Sequence, residues 1–209
     1  MWSCMHMNHS GATFRVFLAG LLIAYPTIQV YFGRRGDGYS RPDSATLERE
    51  GKGLLVIHAA AFFGIVGCVA IEAIYPHLLH TFDISIPISA RWVAAGITAL
   101  SLYGLIFVHR ELGRFWSVYL DLKSNHQLIE SGPYRWVRHP MYTVLIIHSV
   151  GLGFVAANGL LLALGVLRST MLLIRIPREE SMLIARFGDQ YRQYVKRKGL
   201  IFPRLRALR

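Results

Sequence analysis

Residues 140–176 read PMYTVLIIHSVGLGFVAANGLLLALGVLRSTMLLIRI, two apolar runs (140–157 and 159–176) joined only by Asn158 and Gly159. A helix needs about 20 apolar residues to cross a bilayer, so each run is slightly short, as the arms of a hairpin or tilted helices can be. A connection this small leaves the second run no room to do anything but return beside the first. The stretch therefore predicts a tight antiparallel helical hairpin inside a membrane, and it sets the class of fold for the whole chain.

Working outward, three further runs have membrane length: residues 14–32, 54–75 and 88–108. The 209-residue chain is 53% hydrophobic and only 17% charged, whereas soluble domains carry about 25% charged residues. The expected fold is thus an all-α integral membrane protein of about five transmembrane helices, including a C-terminal hairpin, plus a cytoplasmic C-terminal helix. Lys and Arg alternate across the connections. None precedes residue 14, five lie in 33–53, none in 76–87, five in 109–139, none in the hairpin turn, and nine in 177–209. Positive loops stay cytoplasmic, which predicts the N-terminus outside and the C-terminus inside. The net charge of +11 is spent on these loops, with no stripe of basic residues and interleaved aromatics, so a nucleic-acid partner is excluded.

The length suits a single membrane domain over 1–209, with N-terminal spans in 1–109 and a motif-bearing half in 110–209. Cys4 and Cys68 are the only cysteines, too few for a disulfide framework or a paired zinc site. Cys4, His6 and His9 stand close together near the N-terminus; a soft-metal site and a frayed end are both open there, and no metal is assigned. No basic region precedes the first apolar run, so no cleavable signal peptide is expected. Pro177 suits a first helical position, with Glu179 and Glu180 in the first turn of a separate tail helix. Met182, Leu183, Phe187, Tyr191 and Tyr194 give that tail an apolar face.

Four charges fall within or at the ends of the spans: Glu72, Arg91, Arg168 and Arg175. An arginine at the bilayer centre costs roughly 2.5–3.5 kcal/mol on insertion scales, so it is paired or faces a cavity. Arg91 and Glu72 lie near span ends and can reach the interface. For Arg168 two readings stand, a buried pair with Glu72 or a carbonyl, and a contact to substrate. Arg175 and Glu179 are four apart and share a face if the helix continues, although Pro177 between them predicts a kink or break.

Residues 131–142, Ser-Gly-Pro-Tyr-Arg-Trp-Val-Arg-His-Pro-Met-Tyr, lie at the mouth of the hairpin. Gly132-Pro133 signals a turn, and Pro140 fits the first position of the next helix. The free N–H groups of that helix start favour a carboxylate or phosphate, and Arg138 adds to the same preference. An interfacial aromatic belt would explain Tyr, Trp and Arg there, but not His139-Pro140 at a helix start.

Four groups of residues now carry a resemblance. Leu112-Gly113-Arg114-Phe115-Trp116-Ser117, then His126 through Tyr134, then Arg138-His139-Pro140-Met141-Tyr142, and finally Arg175 with Glu179-Glu180, Phe187-Gly188 and Tyr191-Arg192-Gln193-Tyr194 occur in order over residues 110–202. The set resembles the isoprenylcysteine carboxyl methyltransferase family and its wider membrane methyltransferase group. The resemblance implies an integral membrane methyltransferase that uses S-adenosyl-L-methionine in a cytoplasm-facing pocket closed by the C-terminal segment. His126, Leu128, Ile129, Tyr134, His139, Pro140, Tyr142 and Glu179 would line the cofactor pocket. Arg175 would orient the substrate, with Arg138, Glu180 and Arg168 as further site residues. The implied partners are a prenylated or other lipophilic substrate and the membrane lipids.

The residue types agree with that chemistry. Methyl transfer is an in-line displacement that needs both partners held in near-attack geometry. A carboxylate acceptor is already ionised, needs no base, and can be gripped by an arginine through paired hydrogen bonds. An amine or thiol acceptor, as in phospholipid N-methyltransferases or thiol S-methyltransferases, must lose a proton, and His139 or Glu180 could take it. A small membrane transporter or scaffold with structural charges is the alternative of another class. No Gly-x-Gly-x-x-Gly element follows a strand, so a Rossmann-type cofactor site is not supported.

Overall fold

A computed structural model describes residues 2–35, 38–39, 44–119 and 127–204. Among the described residues there are seven α-helices: α1 (Trp2–Arg35), α2 (Ser44–Glu50), α3 (Lys52–Ile74), α4 (Ile88–Leu112), α5 (Pro140–Ala156), α6 (Gly159–Phe187) and α7 (Asp189–Arg197). Among the described residues there are only two isolated β-bridges and no strand. Segments of α1, α3, α4 and α6 are long and apolar enough to cross a membrane, while α5, at 17 residues, is the short arm of the hairpin. The fold is that of an all-α integral membrane protein. The side chains of Cys4, His6 and His9 lie outside the described residues.

The hairpin forms as its sequence dictates. Ala157 takes the left-handed conformation, φ 56°, that ends α5. Asn158 then caps α6: its Oδ1 accepts from the Leu161 N–H at 3.1 Å, and its Nδ2 donates to the Leu79 carbonyl at 3.2 Å. Gly153 and Gly165 let the arms approach closely, for a methyl at Gly165 would stand 2.4 Å from the Ser149 carbonyl oxygen. Small residues carry helix contacts in a bilayer because lipid tails leave no hydrophobic force between helices. Thr98, Ser149 and Ser169, all buried, continue this close packing across α4, α5 and α6.

Arg91 ties together the end of the bundle that carries the hairpin turn. Its Nε and NH2 donate to the Val155 carbonyl at 3.0 and 2.9 Å, and its guanidinium lies 4.0 Å from the Phe14 ring centroid. The otherwise unpaired C-terminal carbonyls of α5 thus gain a cation, which also suits the helix dipole. Phe14, Leu18, Leu105, Leu152 and Leu161 fill the core, while Val16, Val56, Phe63 and Leu100 point outward from the bundle.

Two expectations are corrected here. The chain does not break at Pro177: α6 runs through it to Phe187 and ends at Gly188, which has φ 54°. A proline removes one rung from the ladder, and a helix packed along its length on α3 and α5 keeps its course without it. Glu179 and Glu180 therefore lie in a helix interior, not in a first turn. Arg168, second, does not pair with Glu72. Glu72 borders a separate cavity near the hairpin turn with Arg15, Asp83 and Arg91.

Candidate active site

The N-terminal end of α5 is built by the tail. After α7 the backbone returns alongside residues 136–139. The Arg138 and His139 N–H groups donate to the carbonyls of Gly199 and Leu200 at 2.9 and 3.0 Å, and Thr143 Oγ1 donates to the Ile201 carbonyl at 2.8 Å. The peptide N–H groups just ahead of the helix are thereby consumed.

Arg138 is corrected too. Its Nε donates to Glu180 Oε1 at 2.7 Å and its NH1 to the Lys198 carbonyl at 2.8 Å, so its charge is balanced within the protein. The same Glu180 oxygen accepts from the Tyr191 hydroxyl at 3.3 Å and lies 3.3 Å from His139 Nε2. Glu180 does not border the cavity described below, so it clasps the tail to the mouth and is poorly placed to take a substrate proton. The Tyr194 hydroxyl completes the clasp by donating to the Tyr134 carbonyl at 2.7 Å.

Behind this clasp lies a cavity of about 510 Å³, in the range of small-molecule sites. It is bordered by Leu128, Ile129, Tyr134, Arg138, His139 and Tyr142 on one side and by Arg168, Arg175 and Glu179 of α6 on another. Pro140 is buried at the first position of α5 and does not border it; His126 lies outside the described residues. Glu179 Oε2 accepts from the Tyr142 hydroxyl at 2.6 Å and lies 3.9 Å from His139 Nδ1. The His139 and Tyr142 rings stack at 5.5 Å. Burial first, then the charge of nearby Glu179, raises the pKa of Tyr134, so its hydroxyl stays protonated.

Arg175 lies one turn from Glu179 and borders the same cavity. Its NH2 is 2.8 Å from Glu50 Oε1 and 2.8 Å from the Val118 carbonyl, while its Nε is buried and makes no hydrogen bond among the described residues. Glu50, 1% exposed at the end of α2, is a site residue that sequence reasoning missed. Within Leu-Glu-Arg-Glu-Gly-Lys-Gly it reads as a solvated loop charge, and nothing local marks it for burial. Arg178 NH1 donates to its carbonyl and fixes that end of α2 against α6. Deeper in, Arg168 donates to the Ser149 and Tyr25 hydroxyls at 2.5 and 2.7 Å. Tyr25, Gln29 and His58 also border the cavity and were likewise not anticipated. Among the described residues no group of three His, Cys, Asp or Glu side chains is placed to hold a metal.

The fold and cavity define an α-helical membrane protein with a charged and aromatic cavity at the mouth of its hairpin. Residues 94–185 match the model of the isoprenylcysteine carboxyl methyltransferase family. It is 28% identical over 119 residues to the nickel-cobalt-cadmium resistance protein NccN of Alcaligenes xylosoxydans xylosoxydans, covering 56% of this chain and 55% of that protein. It is 30% identical over 148 residues to the protein-S-isoprenylcysteine O-methyltransferase of Schizosaccharomyces pombe, covering 66% of this chain and 56% of the relative. The chain thus spans about half the length of these curated relatives. A solved structure of a eukaryotic intramembrane Ras methyltransferase, isoprenylcysteine carboxyl methyltransferase, matches 90% of this chain and 62% of its own at 22% identity, with a TM-score of 0.53. That likeness speaks to the fold.

Proposed function

We propose that this protein is an S-adenosyl-L-methionine-dependent membrane methyltransferase that methylates the carboxylate of a lipophilic, isoprenylcysteine-like acceptor. The observation that carries the reading is the placement of Arg175 and Glu179 one turn apart on α6, both bordering a cavity that Tyr134, His139 and Tyr142 also line. A cavity with convergent polar groups supports an enzyme over a transporter or scaffold.

The residues present fit the cofactor. Glu179 offers a carboxylate, 31% exposed toward the cavity, to an amino or sulfonium group, and Leu128 and Ile129 offer apolar surface to an adenine-sized ring. When bound, S-adenosyl-L-methionine supplies a methyl group on a cationic sulfur. Tyr142 fixes Glu179 through its 2.6 Å hydrogen bond, and Glu180 fixes His139 and, through Arg138, the tail that shuts out water. Arg175 orients the acceptor, which enters between helices from the bilayer while the cofactor arrives from the cytoplasmic face. That face carries the C-terminus, and the N-terminus lies outside, as the loop charges support.

A second reading has one specific observation in its favour. Glu50 already matches the charge of Arg175 at 2.8 Å, which suits a neutral thiol or amine acceptor whose proton Glu50 could accept. The test of the main reading is calorimetric binding of S-adenosylhomocysteine to detergent-purified protein, with Glu179→Ala as the control, followed by methylation of a prenylated cysteine analogue. Absence of binding by the wild type removes the methyltransferase assignment.

A further inference from the structure

Arg168 and Arg175 are seven positions apart on α6, so at 1.5 Å per residue their Cα atoms lie about 10 Å apart on one face of the helix. Both border the cavity. Their electrostatic situations differ. Arg175 is matched by Glu50 at 2.8 Å. Arg168 has no carboxylate within ion-pair distance among the described residues. Its NH1 and NH2 donate to the hydroxyls of Ser149 and Tyr25 at 2.5 and 2.7 Å, and its guanidinium lies 5.2 and 5.5 Å from the ring centroids of Tyr25 and Phe62. Its Nε is buried with no hydrogen-bond partner, although the residue is only 4% exposed. Hydroxyl dipoles and ring faces solvate this cation without balancing its charge, and an unmatched arginine at membrane depth marks a substrate or ion path more often than a structural post.

We propose that the inner end of the cavity is an anion-binding subsite centred on Arg168, which receives a carboxylate carried by the acceptor about 10 Å beyond the atom to be methylated. The inference rests on the reading that methyl transfer takes place beside Arg175 and Glu179. A plain hydrocarbon tail laid along this wall, with Leu145 and Leu172 around it, would leave the Nε–H of Arg168 buried and unpaired. A carboxylate repairs that: it balances the guanidinium's charge from the cavity side, and a small shift of the side chain brings the closed-off Nε–H and NH2 to its two oxygens, the side-on geometry that guanidinium groups favour. One negative charge also balances one guanidinium, whereas a phosphate dianion would not. The substrate class is thereby narrowed to amphiphiles with an acid at the far end of an apolar spacer.

Decanoate and decanedioate, titrated calorimetrically into the detergent-purified full chain with S-adenosylhomocysteine present, test the subsite. They share a ten-carbon chain and differ in the second carboxylate. The diacid is expected to bind the wild type about tenfold more tightly, the worth of one charge-assisted hydrogen-bonded pair. Arg168→Gln should erase the preference while leaving decanoate and S-adenosylhomocysteine affinities in place. Equal affinities for the two acids in the wild type overturn the proposal, as does a preference that survives Arg168→Gln. If that variant does not fold, Arg168→Lys decides: a weakened preference supports the subsite and an unchanged one overturns it. Failure of the wild type to bind S-adenosylhomocysteine would instead sink the methyltransferase reading, and the comparison of acids would still report on Arg168.

Discussion

Arg175 NH2 lies 2.8 Å from Glu50 Oε1, a contact between the end of α2 and the middle of α6 that closes one side of the cavity. With Glu50 buried, any acceptor carboxylate must compete with an internal one for the same guanidinium. Glu50→Gln is therefore expected to lower KM for a prenylated cysteine analogue by roughly tenfold, as removal of one competing charge-assisted bond implies. Steady-state kinetics with the analogue check this. A fall in kcat with KM unchanged would favour the thiol or amine acceptor, for which Glu50 is the proton acceptor.

Glu179 and Arg175 share a wall but are assigned different partners, and binding separates them. Glu179→Ala should weaken S-adenosylhomocysteine by about 10- to 100-fold, the value of a charge-assisted hydrogen bond. Tyr142→Phe, which frees Glu179 from its 2.6 Å anchor, should weaken it less, by about threefold to tenfold. Arg175→Ala should leave that affinity within about twofold while abolishing turnover, since lost transition-state interactions appear in kcat. Equal loss of cofactor binding in the arginine variant would move Arg175 out of the acceptor role. Titration calorimetry and a methylation assay on the same preparations read both.

The hairpin was legible in the chain because Asn158 and Gly159 leave two apolar runs no alternative, and Asn158 caps α6 as its residue type suggests. That Tyr134, His139 and Tyr142 border one cavity was legible because they lie close together in sequence. Glu50 was not, because its burial depends on Arg175, 125 positions away, and on Arg178 gripping its carbonyl. Pro177 misled for a local reason: it forbids one hydrogen bond, and long-range packing of α6 outweighs that single loss. Arg138 misled the other way, since its balance by Glu180 lies 42 positions ahead.

The tail clasp is held by a carboxylate that serves three donors. Glu180→Ala strands Arg138, whose side chain is only 8% exposed, and should cost about 3 kcal/mol, as expected when one partner of a buried pair is removed. Limited proteolysis should then cut after α6 sooner than in the wild type, while S-adenosylhomocysteine binding weakens through loss of closure. Unchanged proteolysis would show that Tyr194 and the backbone returns at 199–201 hold the tail on their own.

Alkaline pH should open the same clasp. Burial raises the pKa values of Tyr191 and Tyr194, reinforced by Glu180 and Glu130 respectively. A tyrosine whose folded pKa lies above its unfolded value near 10 stabilises the docked state fully below about pH 10, and that stability is lost as pH rises further. Tail docking, followed by proteolysis or by tyrosinate absorbance, should be flat to about pH 9 and fall above about pH 10. Tyr191→Phe combined with Tyr194→Phe should flatten the alkaline limb while lowering the plateau.

Gly165 tests the hairpin itself. A Cβ there would stand 2.4 Å from the Ser149 carbonyl oxygen and 2.8 Å from the Ser149 carbonyl carbon, both backbone atoms of α5 that cannot rotate away. Gly165→Ala must therefore push the arms apart and is expected to destabilise by about 1–3 kcal/mol, the usual cost of overpacking. Gly96, on α4, has nothing within 4 Å of the same added atom. Gly96→Ala should instead be neutral or stabilising by up to about 1 kcal/mol through helix propensity. Thermal melts in detergent compare the two. Because α5 carries Tyr142 and α6 carries Glu179, separating the arms should also weaken S-adenosylhomocysteine binding in the Gly165 variant and not in the Gly96 variant. Parallel behaviour of the two alanines would mean that the close approach of the arms does not position the site.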